Sequence, residues 1–406
     1  MPWKETDVVS ERIRFVVRLE RGETMSALCQ EFGISRKTGY KIWRRYEEGG
    51  PEALYDYSRK PLHSPYRTAP EIEARIVKLR KARPTWGSKK LRAYLERHET
   101  EVRWPALSTF GRILERNDLI GARKRRRRTP LYSDKLRKAQ APNQLWCADY
   151  KGQFRLGNRR YCYPLTITDQ HSRYLLGCEA LEHTRGDSAK GVFISIFRRH
   201  GLPDAIRTDN GAPFASTGLW GLTPLSVWWM ELGIVHERIE PAHPEQNGAH
   251  ERMHRTLKAA TTRPAGQTLL QQQERFDDFQ VEYNDERPHE ALDMKTPSDF
   301  YQDSERSLPD PLALPEYPLH DLTRTVSPDG RLHWPYPHRV YLGRALRGKR
   351  VGLRELEDGA WLVSFADLNL GTIEAKTLVF QPYDTSLSTS SYEAFEQVNL
   401  LPMSPD

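Results

Sequence analysis

The sequence predicts a multidomain protein with an all-α front part, a central α/β part and a small β part near its end. Three observations support this order. Apolar residues recur at helical spacing up to about residue 120, strand-like and helical runs alternate over residues 141–302, and short alternating runs follow over residues 322–382. A chain of 406 residues is long enough for several such domains.

Charge is distributed unevenly along the chain. Residues 1–140 hold 34 Lys and Arg against 18 Asp and Glu, whereas residues 141–406 hold 28 against 36, and the two halves sum to the net charge of +8. A basic front joined to a mildly acidic rear indicates a polyanion partner that binds mainly the N-terminal part. A basic surface that serves solubility alone is the alternative.

The cysteines and the hydropathy indicate a protein of a reducing compartment. The four cysteines show no Cys-x-x-Cys pair and no histidine partner at zinc spacing, so we expect buried thiols at Cys29, Cys147, Cys162 and Cys178. No stretch resembles a signal peptide, and no apolar run is long enough to cross a bilayer. The expected location is the cytoplasm, with no membrane partner.

Residues 6–57 show the pattern of a helix-turn-helix DNA-binding domain. Thr24 can cap a short helix, Gly33 supplies a left-handed turn residue, and Ser35 can cap the next helix. That next helix is strongly basic, which favours a recognition helix over a plain helical hairpin. The side chains that we expect to contact DNA are Arg36, Lys37, Tyr40, Lys41, Arg44 and Arg45.

Residues 70–121 predict a second helical, helix-turn-helix-like DNA-binding domain. Ile72, Ile76 and Leu79 form one apolar face, and a later helix with Ser108 as its cap carries Phe110 inward. Two reading domains in tandem would lengthen the DNA site.

A basic linker is predicted over residues 122–140. It contains six consecutive cations at positions 123–128, a block that repels itself and should stay extended until phosphates neutralise it. A solvated linker without a specific role is the alternative. The DNA contacts predicted in this block are Arg125, Arg126, Arg127 and Arg128.

Residues 141–302 predict the catalytic part. A strand ends near Asp149, two strand-like runs follow over residues 161–169 and 174–182, and Asp187 can cap the next helix. A further strand ends at Asp209. Three strands, a helix and a further strand are typical of a ribonuclease-H-like fold.

Three acids in this part are candidate metal ligands and catalytic residues: Asp149, Asp209 and Glu251. Carboxylates are what hard divalent cations such as Mg²⁺ prefer, and two such ions can clamp the attacking and leaving oxygens of a phosphodiester substitution. On the last helix Glu251, His254, Arg255 and Lys258 fall at i, i+3, i+4 and i+7, hence on one face. A solvated amphipathic helix is the alternative for that segment.

Residues 322–382 predict a small β-barrel. Between positions 331 and 354 this part has seven Lys or Arg and no acid, interleaved with aromatic residues, a mixture that suits contact with a nucleic-acid backbone. A strand face that is basic for solubility is the alternative. The Ser/Thr-rich tail, residues 383–406, is predicted to be disordered.

The catalytic part resembles the core shared by retroviral integrases and bacterial insertion-sequence transposases of the Asp-Asp-Glu type. The resemblance rests on three motifs that occur in the family's order: Trp146-x-x-Asp149, Thr208-Asp209-Asn210-Gly211-x-x-Phe214, and Pro244-x-x-x-Gly248-x-x-Glu251-Arg252-x-His254-Arg255-x-x-Lys258. The front helix-turn-helix units and the Arg-Pro-Thr-Trp-Gly segment at residues 83–87 are also similar to transposases of this group.

The resemblance implies a role for each matching residue. It makes Asp149, Asp209 and Glu251 the metal ligands, and it places Arg255 and Lys258 at positions that hold the end of the mobile element. It selects Glu251 over Glu245 and makes Asp169 structural. Two departures from retroviral integrases are a slightly longer spacing of 41 residues between Asp209 and Glu251, with the extra around residues 216–224, and the absence of the His/Cys zinc module.

The implied function is DNA transposition, a recombination reaction that ends in DNA integration. The expected cofactors are two Mg²⁺ (or Mn²⁺) ions per active site and no zinc. The expected partners are double-stranded DNA, as element ends and as target, and further copies of the chain in a dimer or larger assembly. A bacterial, nucleoid-associated protein is implied. The alternatives are a nuclease of the same fold that does not join strands, and a DNA-binding regulator or inactive transposase remnant.

Overall fold

The structure is a computed structural model that describes residues 7–56, 68–120, 138–240, 248–312, 314–333, 338–356, 359–374 and 376–383. It divides into two compact units, Met1–Ala69 and Pro70–Asp406. The predicted basic linker lies outside the described residues except for positions 138–140, and the predicted tail lies outside them except for position 383.

The first unit is a cluster of three helices. These are α1 (Val8–Glu20), α2 (Met25–Glu31) and α3 (Arg36–Gly49). The side chain of Thr24 accepts from the Ala27 N–H and caps α2, the side chain of Ser35 accepts from the Thr38 N–H and caps α3, and Gly33 between them has φ +64°. The predicted helix-turn-helix geometry is therefore confirmed down to its caps.

A second group of three helices opens the larger unit. It consists of α4 (Pro70–Ala82), α5 (Ser88–His98) and α6 (Leu107–Arg116). Its core includes Ile76 and Phe110, as the apolar spacing predicts, together with Trp86 and Leu91. The cap prediction at Ser108 is wrong, because α6 begins one residue earlier and has Ala106 at its N-terminal boundary.

The central domain is built on a mixed sheet. Its strands are β1 (Trp146–Tyr150), β2 (Phe154–Arg155), β3 (Tyr161–Asp169), β4 (Leu175–Leu181), β5 (Ala205–Thr208) and β6 (Val235–Arg238). The order is β2-β3-β1-β5-β6 with β4 also paired to β3. The β1–β3 and β3–β4 pairs are antiparallel, whereas the β1–β5 and β5–β6 pairs are parallel. This arrangement confirms the predicted ribonuclease-H-like core.

Helices cover both faces of this sheet. One face packs against α7 (Gly186–His200) and α8 (Pro224–Glu231), through a core that includes Trp146, Phe193 and Trp229. The other face packs against α9 (Gly248–Thr261) and α10 (Leu269–Val281), through Met253, Phe276 and their neighbours. The predicted cap at Asp187 is wrong, since α7 already begins at Gly186 and Asp187 lies in its first turn.

The second helical group docks onto the end of the catalytic domain. The Arg83 guanidinium pairs with Glu282 at 3.2 Å and also with Glu286, while the Trp86 indole N–H donates to Glu282 at 3.1 Å. Arg97 makes a two-pronged pair with Asp299 at 2.7 and 2.9 Å. The Arg-Pro-Thr-Trp-Gly segment therefore holds the helical group on the core through charged hydrogen bonds.

The C-terminal part is a sheet that stays open among the described residues. Its strands are β7 (Leu322–Thr325), β8 (Arg331–His333), β9 (Arg339–Tyr341), β10 (Arg350–Glu355), β11 (Trp361–Phe365), β12 (Leu368–Ile373) and β13 (Phe380–Pro382). Five strands pair in the order β13-β12-β11-β10-β7, and β8 and β9 form a separate hairpin.

The predicted closed β-barrel is therefore not formed by the described strands, because β13 and β7 remain two separate edges. The reason lies in what covers the apolar face. Val227 of α8 lies in the same buried cluster as Val351, Val363 and Phe365 of the sheet, and Trp220 packs against it. A sheet whose apolar face is buried by a neighbouring helix does not need to close on itself.

Candidate active site

The three predicted acids sit on different elements that meet at one edge of the central sheet. Asp149 is the fourth residue of β1, Asp209 directly follows β5, and Glu251 lies in the first turn of α9. Strands β1 and β5 are parallel neighbours in which Ala148 is level with Thr208, so the next residues of both strands are the two aspartates. The carboxyl ends of neighbouring parallel strands are where such sheets place their ligand sites.

The surroundings of the Asp149 carboxyl disfavour its charged form. Its pKa is raised from 3.8 to about 7 in all, first by burial, then by the charge of Asp209 and to a smaller extent by that of Glu251, while Lys151 and a backbone hydrogen bond from Tyr150 oppose the rise. Asp209 and Glu251 are therefore both near enough for their charges to act on the Asp149 carboxyl. A site that accumulates negative charge in this way, with only oxygen donors from its acids, fits a hard divalent cation such as Mg²⁺ or Mn²⁺.

A tight turn holds Asp209 in place. The Gly211 N–H donates to Oδ1 of Asp209 at 3.1 Å, and the Asn210 side-chain amide donates to the Ile239 carbonyl oxygen at 2.7 Å. A Cβ atom at position 211 would lie 3.0 Å from Oδ2 of Asp209. The Asp-Asn-Gly sequence thus anchors the loop after β5 to the end of β6 and leaves room for the carboxylate.

Helix α9 presents two different faces. Glu251, Arg255 and Lys258 are exposed, whereas His254 is buried together with His250. The prediction that His254 shares a face with the three charged residues is therefore wrong: its ring turns toward the sheet. Side chains alternate between the two faces of β3, so Thr166 and Thr168 both point to the face that α9 covers. Their hydroxyls form hydrogen bonds with the histidine rings, which explains why these rings are buried.

A buried histidine–threonine network lies directly under Asp149. The Thr166 hydroxyl is 2.8 Å from Nε2 of His250 and 2.6 Å from Nε2 of His254, and the Thr168 hydroxyl is 2.8 Å from Nδ1 of His250. Nδ1 of His254 faces Oδ2 of Asp149 at 3.6 Å. Burial lowers the pKa of His250 to about 3 and also lowers the pKa of His254, so both rings are neutral at physiological pH.

These histidines are functional candidates that the sequence reasoning missed. Asp149, His250 and His254 each offer a ligand atom within 4.8 Å of the others. Among the described residues, they are the set of His, Cys, Asp or Glu side chains that lies close enough together to hold a metal ion. The signal was present in the chain as two histidines four residues apart, which share one face of a helix. The family pattern draws attention instead to the charged residues of the same helix.

The competing acid Asp169 has a structural role. It is fully buried and accepts from the Ser172 N–H at 2.7 Å, the Ser172 hydroxyl at 2.6 Å and the Asn143 N–H at 2.9 Å. All these bonds brace the turn between β3 and β4 and the start of β1. Glu245, the other competing acid, lies outside the described residues.

The side chains predicted to contact DNA lie on α3, on α9 and in the basic linker. Five of the six on α3 are exposed: Arg36, Lys37, Tyr40, Lys41 and Arg44. The sixth, Arg45, is half-buried and donates to the Tyr55 carbonyl oxygen, so its guanidinium is engaged within the unit.

On α9, the predicted DNA contacts Arg255 and Lys258 are both exposed. Lys258 and Lys151 line a cleft of about 100 Å³ that lies between the segment after β1, strands β2 and β3, and helices α9 and α10. The predicted contacts of the basic linker, Arg125, Arg126, Arg127 and Arg128, lie outside the described residues.

The cysteine and membrane expectations can also be compared with the structure. Cys29, Cys147, Cys162 and Cys178 are all buried free thiols, as predicted. In the part of the chain that the structure describes, no helix combines the length and the apolar character needed to cross a bilayer.

Family models match four stretches of the chain. Models described as "Integrase core domain" match residues 139–244 and 232–297. A model described as "Helix-turn-helix domain" matches residues 11–61, and one described as "Homeodomain-like domain" matches residues 38–114. The chain thus carries helix-turn-helix domains in front of an integrase core.

Two similar proteins come from bacterial insertion elements. An uncharacterized 31.7 kDa protein of IS407 from Burkholderia multivorans is 25% identical over 282 residues, which are 68% of this chain and 94% of that protein. An uncharacterized 39.2 kDa protein of IS476 from Xanthomonas euvesicatoria is 26% identical over 253 residues, 60% of this chain and 68% of that protein. Together with the family models, they confirm the predicted resemblance to bacterial insertion-sequence transposases with an integrase-like core.

Retroviral integrases are among the solved structures that the chain matches. The catalytic core domain of HTLV-2 integrase in complex with magnesium is 16% identical, with 41% of this chain and all of that chain covered and a TM-score of 0.33. A simian T-cell lymphotropic virus intasome is 14% identical, with 76% and 98% covered and a TM-score of 0.37. The strand order and the two integrase-core matches identify the central domain.

Proposed function

We propose that this chain, whose integrase core and helix-turn-helix domains make it similar to bacterial insertion-sequence transposases, is a DNA transposase. It would bind the terminal inverted repeats of a mobile element, cleave at the 3′ ends and join those ends to target DNA. The observation that carries the proposal is the electrostatic coupling of Asp149 to Asp209 and Glu251, at the carboxyl ends of two parallel strands. Acids that repel one another at a sheet edge are costly unless a function uses them.

The residues that would hold the divalent ions are Asp149, Asp209 and Glu251. Two bound Mg²⁺ or Mn²⁺ ions would supply charge neutralisation and activation of the attacking oxygen. The carboxylates suit this task because Asp149 and Asp209 are positioned by strand ends, while Glu251 approaches from a helix whose buried face is anchored by Met253 and Leu257. Zinc is not part of the proposal.

The cations around the acids would hold the DNA strand. Arg255 and Lys258 lie one and two turns after Glu251 on the exposed side of α9, and Lys151 follows Asp149 by two residues. Lys151 and Lys258 line the same cleft, so a phosphate there could contact both. The strand would thus be bound from both sides of the acids.

The N-terminal domains would select the DNA. The exposed basic face of α3 supports insertion into a major groove, with Arg36, Lys37 and Lys41 near the start of the helix. The second helical group is fixed to the catalytic domain through Arg83 and Trp86. Assembly of two or more copies on paired DNA ends, and a nucleoid-associated location in the bacterial cytoplasm, belong to the same proposal.

The decisive experiment uses oligonucleotides that carry the element end, together with Mg²⁺ and then Mn²⁺. The variants are Asp149→Asn, Asp209→Asn and Glu251→Gln, and Asp278→Asn on the exposed face of α10 is the matched control. We expect the three variants to bind the DNA but to lose cleavage and joining, while the control keeps both. Retained cleavage and strand transfer in all three variants would overturn the proposal.

Product analysis separates the alternatives. A nuclease of the same fold would give cut products but no longer joined strand. A DNA-binding regulator or inactive remnant would bind the element end and give neither product in either metal.

A further inference from the structure

The hydrogen bonds around Thr166 determine which nitrogen of His254 carries a proton. The Thr166 hydroxyl has one hydrogen, which it donates to the Asp149 carbonyl oxygen at 3.1 Å. Its oxygen must therefore accept from both imidazoles, so Nε2 of His250 and Nε2 of His254 each carry a hydrogen. Nδ1 of His250 then accepts from the Thr168 hydroxyl, and every polar atom of that ring has a partner.

One atom of the network is left with a bare lone pair. Nδ1 of His254, in a side chain only 3% exposed, faces Oδ2 of Asp149 at 3.6 Å. The distance exceeds that of a hydrogen bond, and both atoms are acceptors when Asp149 is ionised. Two lone pairs that face each other in this way repel, and a cation between them removes the repulsion.

We propose that Nδ1 of His254 binds the same divalent cation as Asp149, so that the site has a mixed nitrogen–oxygen ligand set. This inference rests on the proposed function, since the cation is the one that the transposase would use. Ligand atoms on one ion with bonds of about 2.1 Å lie ~3.0 Å apart in octahedral and ~3.4 Å apart in tetrahedral geometry. The separation of 3.6 Å is ~0.2 Å above the tetrahedral value and ~0.6 Å above the octahedral one, so a small shift of either side chain brings both atoms onto one ion.

The threonine network gives this ligand its orientation. Metal-binding histidines commonly donate their second N–H to a fixed acceptor, which sets the tautomer and the ring plane. Thr166 has that role for His254, and His250 holds Thr166 in place from the other side. His250 itself has no free nitrogen, so it supports the site without binding the ion.

A nitrogen ligand changes which metal the site prefers. Imidazole binds Mn²⁺ and the later transition metals better than it binds Mg²⁺, which takes oxygen ligands. We expect a preference for Mn²⁺ over Mg²⁺ that depends on His254. Replacement of His254 should weaken Mn²⁺ binding by about tenfold or more and should change Mg²⁺ binding less.

The test is Mn²⁺ binding to the full chain, measured by electron paramagnetic resonance with MnCl₂ and no DNA. Pulsed measurements detect the ¹⁴N nucleus of a directly bound imidazole. The variant is His254→Gln, whose amide can still donate to Thr166 but lacks the ring nitrogen. His250→Gln is the matched control, and circular dichroism checks that each variant is folded.

We expect a ¹⁴N coupling in the natural protein that is lost in His254→Gln and in Asp149→Asn but kept in His250→Gln. Mn²⁺ bound through Asp149 without any ¹⁴N coupling would overturn the role of His254 and leave the proposed transposase intact. No binding of Mn²⁺ that depends on Asp149 would count against both proposals.

Discussion

The energetic cost of the buried Asp149 carboxylate leads to a prediction that separates a functional acid from a structural one. Its pKa lies at about 7 in the folded chain, against 3.8 as the ordinary value, with burial as the main cause and Asp209 as the second. A carboxyl whose pKa is raised on folding stabilises the protein at low pH and loses that contribution as the pH rises through its folded pKa. The metal-free protein should therefore lose stability between about pH 4 and pH 7.

The magnitude follows from the same pKa. The difference between 3.8 and about 7 corresponds to about 4 kcal/mol at most, since each pKa unit is worth ~1.4 kcal/mol. Asp149→Asn keeps the shape, removes the charge and can donate from its amide to Nδ1 of His254. At pH 8 in EDTA we expect this variant to be about 2–4 kcal/mol more stable than the natural protein, and at pH 4 we expect the difference to vanish.

The measurement is urea unfolding followed by tryptophan fluorescence, because the fully buried Trp146 lies on the same strand as Asp149. Hydrogen exchange of residues 146–150 gives a local readout. Millimolar Mn²⁺ should stabilise the natural protein and leave Asp149→Asn unchanged, since only the former binds the ion. If Asp149→Asn is no more stable than the natural protein at pH 8 in EDTA, the electrostatic reasoning is refuted, whereas Asp278→Asn should show no pH-dependent difference.

Three further predictions concern other parts of the chain. Asp169→Ala removes the acceptor of three hydrogen bonds and should destabilise the protein by about 3 kcal/mol or more in urea unfolding. This change has the opposite sign from that of Asp149→Asn, and an increase in stability would contradict the structural role of Asp169. Gly39→Ala places a Cβ atom 2.6 Å from the Cys29 sulfur and should destabilise the first unit by about 1–3 kcal/mol in thermal unfolding, while Gly111→Ala, with nothing within 4 Å, should not destabilise its helix. Arg44→Ala should weaken DNA binding and lower the slope of log affinity against log salt by about 1, whereas an unchanged slope would show that α3 does not contact phosphates there.

The sequence predicted the parts of the fold that depend on short-range patterns. Thr24, Gly33 and Ser35 act through hydrogen bonds and backbone angles within a few residues, and all three behave as predicted. The order of strands around Asp149 and Asp209 followed from the same kind of reasoning, because a strand end and a following turn are readable from neighbouring residues. Ser108 and Asp187 failed as caps, since competing positions one or two residues earlier begin those helices.

Long-range packing decided the orientation of His254 and the open form of the C-terminal sheet. The spacing of α9 alone gives no direction to His254, and only the threonine hydroxyls of β3 draw it inward, away from Glu251 and Lys258. The open C-terminal sheet depends likewise on α8, which precedes the first strand of that sheet by about 90 residues and buries the face that a barrel would enclose.

The sequence by itself determined the family resemblance, the two helical units at the front and the choice of the three acids as candidate ligands, because each depends on residue types at short spacing. Only the tertiary structure decided that the charges of the other two acids act on Asp149 at one sheet edge and that Nδ1 of His254 faces Asp149. The physical reason is that burial and charge interactions act through space. Their strength depends on distances between elements that local patterns do not contain.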